Sequence, residues 1–156
     1  MNIFILNKDP IIAAQMQMDC HVIKMLVESV QILCNCFDQK EVPYKRTHYN
    51  HPCCVWARKS LSNFNWLKNH AIALSNEYTY RYGKIHKCRS VINSLKIPDI
   101  TDIGLTSFAL ALPDEFKSND VVRSYLNYYS IIKLNLKRVR WTRRKMPEVF
   151  IEYIRS

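Results

Sequence analysis

The chain has 156 residues, 48% of them hydrophobic, which suits one packed domain and excludes a disordered segment. Only two glycines occur, Gly83 and Gly104, and that scarcity argues against a hairpin-rich sheet. A net charge of +10 points to a polyanionic partner, nucleic acid ahead of an acidic membrane.

No apolar run reaches membrane-spanning length, and the run from Met1 to Leu6 is too short for a secretory signal. These features predict a soluble, cytoplasmic protein with no membrane partner. Its six cysteines (Cys20, Cys34, Cys36, Cys53, Cys54 and Cys88) are then expected to be reduced.

Asn2 to Leu6 reads as a short strand or extended segment. Asp9-Pro10 starts a helix to about Met18, with Asp9 as N-cap and Pro10 at the first helical position. Asp19 caps a second helix to about Phe37. At about 100° per residue, His21, Lys24, Glu28, Gln31 and Asn35 fall in one polar stripe. Most of the remaining circumference is apolar, so the helix is largely buried. The stripe therefore lines either a cleft or a thin solvent strip. In the second case the Lys24–Glu28 pair contributes only about 0.3–0.5 kcal/mol.

Asp38 to Asn50 is a basic connection, and Val55 to Ser60 a helical turn. Ser62 caps a long helix, Asn63 to Tyr82, that Gly83 stops. Phe64, Leu67, Ala71, Leu74 and Tyr78 form its apolar stripe, flanked by a polar line of Asn63, Trp66, His70, Glu77 and Arg81. His86 to Ile97 is a shorter helix ended by Pro98, and Thr106 to Leu112 a candidate strand. Ser118 caps a helix from Asn119 to about Asn135. Pro147 opens the last helical segment, Glu148 to Ile154. The expected fold is mainly α: a single compact multi-helix domain, residues 1–156, with a short N-terminal strand.

Residues 133–145, KLNLKRVRWTRRK, hold seven bases and no acid around one tryptophan. Such a segment suits phosphate contacts with base stacking, or a plain solvated basic face. Its candidate nucleic-acid contacts are Lys137, Arg138, Arg140, Trp141, Arg143, Arg144 and Lys145. The stretch from His48 to Lys87 concentrates four histidines with Arg58, Arg81, Lys84 and Lys87. Glycine-rich phosphate loops are absent, so side chains would have to cradle phosphate. Candidate substrate-binding residues are Gln31, His51, Arg58, Trp66 and His70, with Glu77, Arg81, Lys84 and Lys87.

Glu28 sits one helical turn from Lys24 and two from His21, and Glu77 one turn from Arg81 and two from His70. A carboxylate can act as general base or steady a developing cation, and a lysine amine can attack a sugar carbon. Glu28, Lys24 and His21 are therefore the candidate catalytic set. For Glu77 the alternative is a plain pair with Arg81. A zinc site drawn from Cys34, Cys36, His48, His51, Cys53 and Cys54 fits the usual ligand spacing poorly. Cys53 or Cys54 as a nucleophile lacks an orienting pattern. No metal or cofactor is expected.

Four blocks carry a resemblance. They are D-x-H-V-x-K-M-x-x-E-S-x-Q at Asp19 to Gln31, N-H-P-C-x-x-W-x-R-x-S-x-x-N-F-x-W-L at Asn50 to Leu67, E-Y-x-x-R-Y-G-K-x-H-K at Glu77 to Lys87, and F-A-L-A-x-P-D-E at Phe108 to Glu115. In them the chain resembles a group of uncharacterised phage proteins. Its layout is also similar to the phage pyrimidine-dimer DNA glycosylases of the endonuclease V type. Those are compact, basic, mainly helical domains whose early helix carries a His and the catalytic Glu. A His-Pro or Gly-His segment follows, then a long helix ending near Arg-Gly. The counterparts here are His21, Glu28, His51-Pro52 and Arg81-Tyr82-Gly83.

That resemblance implies DNA contact and glycosidic-bond chemistry. The family attacks the sugar with the α-amine of the residue after the initiator Met. Here that residue is Asn2, before which Met is usually kept, so the nucleophile would be Lys24 or the chemistry a different one. The expected function is a DNA-acting glycosylase or glycosylase/lyase on damaged or modified bases, in the infected host cell if phage-encoded. DNA stands ahead of RNA as partner. The alternatives are a non-enzymatic phage nucleic-acid-binding protein and a small enzyme acting on a nucleotide or nucleotide-derived signal. Nothing in the chain bears on oligomeric state.

Overall fold

Asp9 caps the first helix as its chemistry dictates, accepting from the Ile11 and Ile12 amides at 2.8 and 3.3 Å. From there the computed structural model, which describes residues 1–156, builds seven α-helices and no β-strand. They are α1 (Pro10–Gln15), α2 (Asp19–Cys34), α3 (Pro52–Lys59), α4 (Leu61–Tyr82), α5 (Cys88–Ser94), α6 (Val121–Tyr128) and α7 (Glu148–Arg155). A π-turn, Tyr129–Lys133, continues α6. None of the helices is long and apolar enough to cross a membrane. The mainly α expectation holds.

The 22-residue α4 is the axis of the molecule, packed along α1 and α2. Gly83 ends it in the left-handed region at φ 67°, where a β-carbon would be strained. Its N-terminus differs from expectation. Ser62 is not the cap: the helix starts at Leu61 after Ser60, and Asp102 reaches in from a distant loop to accept from the Ser62 hydroxyl at 2.7 Å, the Ser62 amide at 3.1 Å and the Ser60 hydroxyl at 3.0 Å. The Ser62 hydroxyl, then the Gly104 amide and the Ser60 hydroxyl, hold the Asp102 carboxyl down at about 2.

The expected N-terminal strand is not formed. Ile3, Phe4, Ile5 and Leu6 are all nearly inaccessible, so every side of the segment is apolar contact rather than one face of a sheet. It threads between helices, with Phe4 packed on His21, Tyr125 and Tyr129 at 5.0, 6.5 and 5.3 Å. The link to residues 109–111 runs through side chains, Asn2 Nδ2 donating to Ala111 O at 2.9 Å, instead of a backbone ladder. Thr106 to Leu112 likewise forms no strand. The turn expected at Val55 is the later part of α3, which begins at Pro52 with the His51 ring accepting from the Cys53 amide at 3.1 Å. All six cysteines are free thiols.

Candidate functional site

The polar stripe of α2 opens on a cleft of about 260 Å³ lined by Met1, Asn2, Phe4, His21, Lys24, Glu28, Ala111, Tyr128 and Lys133. Glu28 lies at its centre. One carboxylate oxygen accepts from the Asn2 amide at 2.8 Å and lies 4.0 Å from the Met1 amino group. The other is 3.9 Å from Lys24 Nζ. Two amines thus flank one carboxylate. They differ in setting: the Lys24 side chain is 71% exposed, whereas the Met1 amine is a backbone group on a half-buried residue.

Asn2 is the hub that fixes this arrangement. Besides its amide bond to Glu28 and its bond to Ala111, its side-chain oxygen accepts from the Ile3 amide at 2.7 Å and lies 3.0 Å from the Tyr125 hydroxyl. His21 closes the far wall. The Tyr129 hydroxyl accepts from the Met18 amide at 2.9 Å and pairs with His21 Nδ1 at 2.6 Å. Burial, then the Lys133 and Lys24 charges, lower its pKa to about 4, so the ring is neutral at pH 7. The arrangement offers a proton acceptor, two amines and a neutral imidazole around one open polar space, with Lys133 contributing positive charge.

The expected set of Glu28, Lys24 and His21 is thus brought together. The second polar line is not part of it. On α4, Trp66, His70, Glu77 and Arg81 are all buried. Trp66 Nε1 donates to Lys8 O at 2.8 Å and its ring stacks on His70 at 5.1 Å. His70 Nδ1 bonds Pro10 O at 2.8 Å, and burial lowers its pKa to about 4. Arg81 donates to Gln15 O and Gln17 O at 3.0 and 2.8 Å, satisfying carbonyls at the end of α1. It also bonds Asp19 at 3.0 Å and Glu77 at 2.9 Å. These bonds hold the four residues away from the Glu28 cleft, and Glu77 instead lines a separate cavity of about 640 Å³ with Tyr80 and Arg144.

The same network takes two members from the basic segment. Arg144 is paired with Glu77 through Nε at 3.1 Å, which raises the guanidinium's pKa. Trp141 is 7% exposed, donates to Met16 O at 2.9 Å and lies against Phe150, so its ring is withdrawn from base stacking. Asp19 accepts from the Thr142 amide and hydroxyl at 2.9 and 2.6 Å. Burial alone would raise the Asp19 pKa, but the Thr142 bonds and Arg81 outweigh it and the net shift is downward. Lys137, Arg138, Arg140, Arg143 and Lys145 remain exposed.

Gln31 is half-buried on α2, one turn beyond Glu28. His51, half-buried, sits in the field of Glu28: burial and the Met1 amine and His48 charges lower its pKa, and Glu28 opposes them. Arg58 donates to Tyr49 O at 2.8 Å and lies over the Tyr49 ring. Lys84 and Lys87 are exposed beyond the end of α4. Cys53 and Cys54 are buried, and burial pushes the Cys53 thiol up to about 12, which removes thiolate character. No three His, Cys, Asp or Glu side chains converge as metal ligands.

Sequence reasoning missed Met1, Asn2 and Tyr128 as cleft residues and counted Lys133 only as the first base of a charged segment. The one available signal was a polar Asn2 ahead of an apolar run, and helical periodicity says nothing about a residue outside a helix. Comparison of the chain with protein-family models, with curated proteins and with solved structures finds no match.

Proposed function

We propose that this protein is a DNA-acting glycosylase or glycosylase/lyase that works on damaged or modified bases, with Glu28 as its carboxylate. The observation that carries the reading is the convergence of Glu28 with two amines, at 3.9 and 4.0 Å, in a polar cleft open to solvent. One amine, relieved of its proton, attacks the sugar C1′. The glycosidic C–N bond breaks, and the base leaves with the electron pair and takes up a proton. The amine gives up a proton and stands bonded to C1′; its lone pair then expels O4′, which takes a proton as the C1′–O4′ bond breaks, and a protonated Schiff base, an iminium, remains. Glu28 accepts the proton from the amine and steadies the cationic sugar. The extruded nucleotide that this requires fits an enzyme that takes its target out of the stack. Of the two amines, Lys24 is the one expected from the stripe on α2.

A non-catalytic nucleic-acid-binding protein is the second reading, favoured by the exposed bases of residues 137–145. Borohydride trapping on duplex DNA carrying abasic sites or ultraviolet lesions, with a parallel base-release assay, separates the two. The wild type is expected to form a reduced covalent adduct that Glu28→Gln loses. An adduct lost in Lys24→Ala places the nucleophile there, and one retained moves it elsewhere, with the Met1 amine the next candidate. Neither adduct nor base release, with binding intact, establishes the second reading. Neither adduct nor binding moves the search to small nucleotides.

A further inference from the structure

Helix α2 is bracketed by two basic segments. At its N-terminal end the Asp19 amide donates to Arg140 O at 2.8 Å, which docks residues 137–145 there. At its C-terminal end Asn35 Nδ2 donates to Thr47 O at 2.7 Å and the Asn35 side-chain oxygen accepts from the Thr47 amide at 3.3 Å, which docks residues 45–49. The second segment carries an exposed aromatic between guanidiniums: Arg46 and Arg58 lie 4.4 and 3.6 Å from the centroid of Tyr49, itself 40% exposed. No carboxylate oxygen lies within 4.0 Å of either guanidinium. Each donates only one hydrogen bond to the protein, Arg46 to Phe37 O and Arg58 to Tyr49 O, and so keeps donors for a ligand.

The cluster is physically continuous with the Glu28 cleft. Met1 spans the two: its amino group is 4.0 Å from Glu28 and its sulfur 3.5 Å from Cys54 Sγ, and Cys54 stands one turn of α3 before Arg58. Asn35 joins the same contact, 3.1 Å from Cys54 Sγ. Asp38, Glu41 and Asp99 line the cavity beside Arg46 and Arg58 and disfavour an anion inside it, so the contact is limited to the guanidinium donors that the protein leaves unused.

We propose that Arg46, Tyr49 and Arg58 form a second DNA contact, so that a duplex lies along α2 with Glu28 between two cationic flanks. The 16 residues of α2 span about 24 Å, the length of about seven base pairs. Tyr49 holds the two guanidiniums against its ring, and they take phosphates. The proposal rests on the reading of Glu28 as a DNA-acting centre and adds the path of the substrate.

The test is fluorescence anisotropy with a labelled duplex carrying an abasic-site analogue, titrated between about 50 and 200 mM salt. Arg46→Ser/Arg58→Ser is expected to bind on the order of tenfold more weakly, with the salt slope reduced by about 1.8. Arg46→Lys/Arg58→Lys restores the slope, which shows that charge rather than misfolding is at issue. Tyr49→Ala weakens binding several-fold at unchanged slope. The control Lys68→Ser/Arg89→Ser removes equal charge from side chains engaged with Leu95 O and Asn76. A double arginine variant indistinguishable from this control overturns the proposal, as does a wild type that does not bind. If the wild type binds but forms no adduct and releases no base, the catalytic reading fails while the slope comparison still decides the DNA path.

Discussion

Glu28 and Glu77 have the same local grammar. Each follows a histidine by two turns of helix and has a base one turn away, yet one opens on a polar cleft and the other is held by two arginines. The difference lies in what arrives from elsewhere in the chain. Glu77 receives Arg144, from 67 residues away, and is 5% exposed. Glu28 receives the N-terminal segment, which brings an amide and an amine but leaves the carboxylate 15% exposed on a cleft. A guanidinium with several donors saturates a carboxylate, whereas a backbone amide and two amines near 4 Å leave acceptor capacity unused. The comparison teaches that a helical stripe of His and Glu stays open on a cleft only where tertiary partners fail to complete it.

That contrast can be broken most forcefully at Glu77. Glu77→Ala leaves Arg81 with Asp19 as its one carboxylate partner and releases Arg144, and is expected to cost about 3 kcal/mol in denaturant unfolding. A loss below about 1 kcal/mol would mean that the network is not the lock described. Acid should come next. His70 and His21 have pKa values of about 4 in the fold against an ordinary 6.5. The unfolded chain then binds more protons between these values, so stability is full above pH 6.5 and drains away as pH falls toward 4. His70 alone accounts for on the order of 3 kcal/mol. Unfolding free energies across that range should fall for the wild type and fall less for His70→Gln; equal declines would rule out a neutral buried ring.

Glu28→Gln is the mirror image of Glu77→Ala. Base release or adduct formation should drop by at least about a hundredfold, with stability changed by less than about 1 kcal/mol. A variant that is unstable as well as inactive would erase the distinction between the two glutamates. The smallest effect is expected at Asp102→Asn, far from both. Melting temperature should fall modestly near neutral pH. The difference from wild type should vanish as pH drops through about 2, because the depressed carboxyl stabilises only while ionised.

Much of the scaffold was legible because it is local. The Asp9 cap, the Gly83 stop and the α2 stripe are set by residues within a turn or two of one another, and they appear where the sequence puts them. The Glu28, Lys24 and His21 set was legible for the same reason. What was not legible depends on distant partners. Trp141 looks like a stacking residue beside its basic neighbours, until Met16 and Phe150 enclose it. Arg81 and Glu77 look like a surface pair until α1, Asp19 and Arg144 converge on them. Ile3 to Leu6 satisfies a strand pattern, but a strand needs a ladder partner that this chain does not supply.

The Trp141 indole carries one more consequence, for the order of assembly. Its bond to Met16 O joins residues 125 apart in sequence. Closing so long a loop costs entropy before any contact returns it, and such contacts form late. The basic segment should therefore dock onto α1 and α2 after the helices have paired. In refolding experiments the emission of Trp141, isolated by replacing Trp56 and Trp66 with phenylalanine, should lag behind the recovery of helical circular dichroism. The sealed stripe would thus be the last region of the molecule to become native.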